Sequence, residues 1–195
     1  VGAEVGKAYG NPIETFSRFW ILAGSHVLFV VDQIAAQQPV TTLWNWLVNN
    51  RDGKTLWQTA QNTLTIKRNR AGMKLFHGGK GCWSYPVYGY LHDAYHPEPN
   101  QLGEGHSGTG LLFRFTEKER QVVRTVVHAI ALDEPDQLDQ WQLQVDSNDY
   151  TLQSDTRKWT LQLQDDQAAA FSMISGHGRK WDIAILDGQY HLKKS

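Results

Sequence analysis

WQLQVDSNDYTLQSDTRKWTLQL, residues 141–163, is the stretch on which the fold class turns. Trp141, Leu143 and Val145 alternate with Gln142 and Gln144, and Trp159, Leu161 and Leu163 alternate with Thr160 and Gln162. A period of two places every apolar residue on one face of an extended chain; on a helix the same residues would scatter around the axis. The segments 138–145, 149–153 and 158–164 therefore read as antiparallel strands with one face on a core and the other in water.

Working outward, short β-rich runs punctuated by Gly, Asn, Asp and Pro continue in both directions, and long 3.6-period stretches are missing. Residues 15–22 and 26–34, separated by Ala23, Gly24 and Ser25, read as a hairpin. Residues 41–49 follow, then a turn at Asn50, Arg51, Asp52 and Gly53. Strands are expected at 56–60 and 63–69, with Leu64 and Ile66 facing one way and Thr63, Thr65 and Lys67 the other. Ala71 and Gly72 turn the chain into 73–77, and 110–116 is a further strand. The run 121–132, dense in Val and Ile, suits a central strand covered on both faces. Residues 167–174 read as a short helix or strand, and 181–186 with 190–192 form a hairpin over Asp187 and Gly188. About a dozen strands result, which predicts an all-β, two-sheet antiparallel β-sandwich forming a single domain over 1–195. The segment 78–110, rich in Gly, Pro, Tyr and His, reads as a long aromatic-rich loop of the kind that carries function.

The 19 basic and 20 acidic residues nearly cancel, and no stripe of Lys and Arg forms, so neither nucleic acid nor an anionic membrane is expected as a partner. The longest apolar run, around Val27 to Val31, is far shorter than the roughly 20 residues of a membrane-spanning helix. Cys82 is the single cysteine, which excludes an intrachain disulfide and a cysteine-based zinc site. It has no activating neighbour pattern for a nucleophile. A chain opening on Val1 rather than Met suggests a processed polypeptide or the C-terminal part of a longer one.

Three stretches together resemble the C-terminal sandwich of the heparinase II/III-like polysaccharide lyases. Ala8-Tyr9-Gly10 resembles the segment leading into the last sandwich strands; Arg18-Phe19-Trp20 with Val30-Val31-Asp32 resembles a strand pair; Trp46-Leu47-Val48-Asn49 resembles a following strand. The resemblance implies a periplasmic or secreted location and the chemistry of β-elimination on acidic polysaccharide. There a base removes the proton α to a uronate carboxyl and an acid protonates the leaving oxygen. The family's catalytic Asn, His and Tyr come from an N-terminal α/α-toroid and earlier sandwich strands, and their motifs do not occur here. What is implied is a non-catalytic supporting and substrate-cleft domain that partners a missing toroid and is inactive alone. No cofactor is expected. The strand His that helps hold a structural divalent metal in that family corresponds to Asn49, and an amide substitutes poorly for imidazole.

Among residues that can carry chemistry, Tyr88, Tyr90, His92 and His106 have the groups to donate and accept the protons of an elimination, although no spacing shows that any two converge. His92, Asp93 and His96, with His106, are the candidate metal ligands; Pro97 argues against the helix that would put His92 and His96 on one face. Trp83, Tyr85, Tyr88, Tyr90 and Tyr95 are the candidate carbohydrate platform, because aromatic faces stack on pyranose C–H groups. Trp44 and Trp46 share a face of one strand and are expected to be buried. Asp32, at the end of an apolar run, is expected to cap a turn. An autonomous carbohydrate-binding module and a purely structural assembly domain are the alternative readings.

Overall fold

A computed structural model describes residues 1–50, 53–88, 110–164, 170–186 and 189–194. The all-β, antiparallel expectation holds: apart from one turn of helix, α1 (Gly6–Tyr9), and a 3-10 turn at Leu138–Gln140, the regular elements are strands. The layering differs from the two sheets expected, since sixteen strands among the described residues form three.

The central sheet has seven strands in the order β1 (Gly2–Glu4), β2 (Ile13–Ala23), β3 (Val27–Val40), β10 (Gln121–Asp133), β7 (Gly72–His77), β6 (Thr63–Lys67) and β5 (Leu56–Ala60). A small sheet of β4 (Leu43–Asn49), β9 (Gly110–Glu117) and β8 (Gly81–Tyr88) covers one face. An outer sheet runs β11 (Gln142–Asp146), β12 (Asp149–Gln153), β13 (Lys158–Leu163), β14 (Ala170–Ser175), β15 (Lys180–Leu186) and β16 (Gln189–Lys194) in strict chain order. It faces the other side of the central sheet, because Trp141, Leu152, Leu161, Phe171 and Met173 share one core with Phe29, Val31, Val127 and Ala129. Leu111 and Phe113 of β9 pack on Val30, Leu64, Leu75 and Ile130 of the opposite face.

Coverage on both sides explains why β3 and β10 are nearly continuous runs of Val, Ile, Leu, Phe and Ala: a strand between two layers has no water-facing side on which to place polar residues. The outer sheet has such a side. There Thr151 and Thr160 share a hydrogen bond of 2.8 Å. The turn between β2 and β3 depends on Gly24, whose φ of +63° lies in the left-handed region that side chains disfavour.

Two local expectations need correction. The segment 78–110 is not a loop throughout, since Gly81–Tyr88 pairs with β9. Pro86 hid this strand: it has no N–H for the ladder, and the pairing absorbs it with a register shift between Ser84 and Val87. Residues 138–145 are not one strand, because a 3-10 turn precedes β11 and buries both Leu138 and Trp141 at its three-residue period. The segment 167–174, read as a short helix or strand, overlaps the strand Ala170–Ser175.

Replacing Phe29, which has no exposed surface, by Ala is expected to cost about 3–5 kcal/mol in urea unfolding. Val145→Ala, at a position 54% exposed, should change stability by less than about 0.5 kcal/mol. Equal effects at the two positions would contradict the layering described.

Candidate functional site

Arg18 and Asp32 lie five residues on either side of the Ala23–Val27 pair that closes the β2–β3 hairpin, so the ladder sets them directly opposite each other. Both face the small sheet. The guanidinium grips the carboxylate with two bonds, Nε to Oδ1 at 2.6 Å and Nη2 to Oδ2 at 2.7 Å. Asp32 has no exposed surface, and two further donors complete its shell. Trp44 Nε1 of β4 donates to Oδ2 at 2.7 Å, and His128 Nε2 of β10 donates to the same oxygen at 3.2 Å. Four donors from β2, β4 and β10 thus converge on one carboxylate of β3.

His128 pairs across the central sheet with His77 of β7, and their rings lie 4.5 Å apart. Neither residue has exposed surface. An aromatic wall from the small sheet encloses them: Phe115 stacks on His77 at 3.7 Å, Trp44 meets both rings edge-on, and Trp46 meets His128 at 5.3 Å. The backbone N–H of Gly79 donates to His77 Nδ1 at 3.0 Å, which places the proton of the neutral ring on Nε2. Among the described residues, His77 Nε2, His128 Nδ1, Trp46 Nε1 and Trp83 Nε1 are buried without a hydrogen-bond partner.

Burial drives the protonation states. It holds His77 in the neutral form, with a pKa lowered to about 2, aided by the neighbouring His128. Burial likewise lowers His128, and the attraction of Asp32 does not reverse this. For Asp32 burial acts upward, but the bonds from Arg18 and His128 outweigh it and bring the carboxyl down to about 2. The cluster combines a carboxylate and two imidazoles, the ingredients of acid–base chemistry, yet it is closed to solvent. It ties the small sheet to four strands of the central one, β2, β3, β7 and β10.

The residues singled out from sequence fall elsewhere. Trp83 is half-buried in β8, with its ring 5.1 Å from Phe115 and 6.5 Å from His77. Tyr85 and Tyr88 lie in the backbone of the same strand. Tyr90, His92, Asp93, Tyr95, His96 and His106 lie outside the described residues. Trp44 is buried as expected, and Trp46 is half-buried on the same face. Asp32 caps no turn; β3 runs on to Val40, because a charge met by Arg18 on the adjacent strand lets the strand continue through it. Counting outward from the Gly24 turn identifies that pair from sequence, whereas nothing local marks His77 and His128, which meet only through the β7–β10 register. Asn49 offers its backbone oxygen to Thr55 and Arg68. Among the described residues no three His, Cys, Asp or Glu side chains are grouped to hold a metal ion, and no helix is long and apolar enough to cross a membrane. Compared with known proteins, the chain matches no family model and no curated protein.

Asp32→Asn is expected to destabilise the fold by about 3–5 kcal/mol, since it breaks a buried pair, and Trp44→Phe by about 1.5–3 kcal/mol through loss of one donor to a charged acceptor. Chemical denaturation of the two variants checks both figures. Acid should also weaken the protein. Below the ordinary histidine pKa of 6.5 the unfolded chain takes up a proton that folded His77 refuses, so stability present above that value falls as pH drops toward about 2. The slope from one such histidine approaches about 1.4 kcal/mol per pH unit. Asp32 adds to the loss only below its ordinary value of 3.8. Urea midpoints across this range should fall for the native protein and fall less steeply for His77→Gln; parallel profiles would contradict the assignment.

Proposed function

We propose that this chain is a non-catalytic supporting domain of a polysaccharide lyase acting on acidic polysaccharide, contributing a wall of the substrate cleft while catalytic groups come from an α/α-toroid. The observation that carries the reading is where three titratable side chains go among the described residues. Asp32, His77 and His128 meet in a cluster that braces two sheets and that no polymer can enter. A general base or acid must come within hydrogen-bond reach of the proton it moves, and these groups lie beneath Trp44, Trp46 and Phe115.

The family part of the proposal has separate support. Arg18, Asp32 and Trp46 come from the stretches that resemble heparinase II/III-like lyases: Arg18 pairs with Asp32, and Trp46 packs edge-on against His128, the imidazole that donates to Asp32. The Arg18 and Asp32 stretches thereby share one physical reason to exist, the neutralisation of a buried carboxylate. A secreted or periplasmic setting, where such polysaccharides are met, accompanies this reading.

Incubation of the chain with heparin, heparan sulfate, alginate and hyaluronan should produce no ultraviolet absorbance from unsaturated uronate. Sustained product formation by the chain alone would overturn the assignment of a supporting role.

A further inference from the structure

The three turns β2–β3, β12–β13 and β14–β15 meet at one end of the layer formed by the central and outer sheets and enclose a groove of about 490 Å³. That volume lies within the range of small-molecule sites. Its lining includes His26, Arg157, Lys158, Trp159 and His177, together with serine and threonine hydroxyls, against a single carboxylate, Asp155. We propose that this groove binds a unit of an acidic saccharide, one bearing carboxylate or sulfate groups. The ligand class rests on the function proposed above.

Each component has a stated place. Trp159 begins the core-facing row of β13 but stands at its rim, half-buried, with its ring tilted 33° to Trp181 at 5.9 Å. A Cβ added at Gly24 would come within 3.2 Å of the Trp159 ring, so the glycine lets the hairpin pass close to the indole. Arg157 is held by Nη1 to Asp133 Oδ2 at 2.8 Å, and Asp133 is fixed in turn by Trp141 Nε1 at 2.9 Å. His26 donates Nδ1–H to the Leu132 oxygen at 2.8 Å, which leaves its second ring nitrogen for a ligand.

The turns themselves are pinned. Ser154 N–H donates to Arg157 O at 2.8 Å, Gly176 N–H to Lys158 O at 2.7 Å, and Ser175 N–H to Arg179 O at 2.9 Å. A saccharide would therefore meet groups already ordered, which lowers the entropy lost on binding. Indole supplies a surface for pyranose C–H groups, hydroxyls match sugar hydroxyls, and the cations match an acidic substituent. A neutral glycan would offer no charge to Lys158, whereas Arg157 already has Asp133 as a partner.

Isothermal titration of the intact chain with a heparin hexasaccharide, hexamannuronate and cellohexaose tests the proposal. Both acidic oligosaccharides should bind more tightly than cellohexaose. Lys158→Glu combined with His177→Glu, two exposed positions, should weaken them about tenfold. Trp159→Phe should weaken them as well, and circular dichroism should report an intact fold in each variant. Lys54→Glu combined with Arg70→Gln, at a basic groove elsewhere, makes the same change in formal charge, serves as the comparison and should change affinity less than about twofold. Absence of binding, equal binding of cellohexaose, or equal weakening by both charge reversals would overturn the site. Cleavage of the polymers would instead overturn the supporting role and leave the groove in place.

Discussion

A carboxylate that keeps its charge with none of its surface in water is the constraint around which this molecule is arranged. Moving such a group out of solvent costs several kcal/mol unless strong donors replace the water. Asp32 finds them in Arg18, Trp44 and His128, from three different strands, so the ladders on both sides of β3 and the seat of the small sheet are set together. A slip of one residue between β2 and β3 would turn Arg18 toward the outer sheet and bring Phe19 to the carboxylate. The pair therefore specifies register more strongly than any apolar contact nearby, since exchanging one apolar side chain for another in a core costs much less than orphaning a charge.

The two faces of the central sheet divide the labour. Phe29, Val31, Val127 and Ala129 meet the outer sheet through apolar contact alone, whereas the opposite face sets imidazoles and a carboxylate under tryptophan and phenylalanine. Apolar packing tolerates exchange of one shape for another of equal volume. The polar brace tolerates little, because Asp32 is buried and each donor removed leaves its charge less compensated. Hydrophobic burial thus supplies most of the cohesion, and the brace decides which arrangement of strands receives it.

Much of this was legible in the residues. Alternation in 141–163 announced the outer sheet, Leu64 and Ile66 declared the buried face of β6, and the density of Val and Ile in 121–132 marked β10 as covered on both sides. A third layer was not legible, because β4, β8 and β9 are separated by long stretches of chain and pair only after the central sheet brings them together. The strand at Gly81–Tyr88 was hidden by Pro86, which breaks the ladder that propensity reads. As for the sites, aromatic density drew attention to Trp83 and its neighbours, while the groups that the fold gathers, Asp32, His77 and His128, are isolated in sequence, and only Asp32 carried a local reading, that of a turn cap. The groove at Trp159 was equally silent, being built from three turns of unremarkable composition.

The strict chain order of the outer sheet bears on how the protein is made. Every strand from β11 to β16 pairs only with its sequence neighbour, and all of them follow the central strands they cover. During synthesis the central sheet is therefore complete in chain while residues 142–194 are still emerging, and Phe29, Val31, Val127 and Ala129 lack their cover in that interval. The nascent polypeptide consequently presents a broad greasy flank at its most vulnerable moment, a demand on chaperones that the finished architecture conceals.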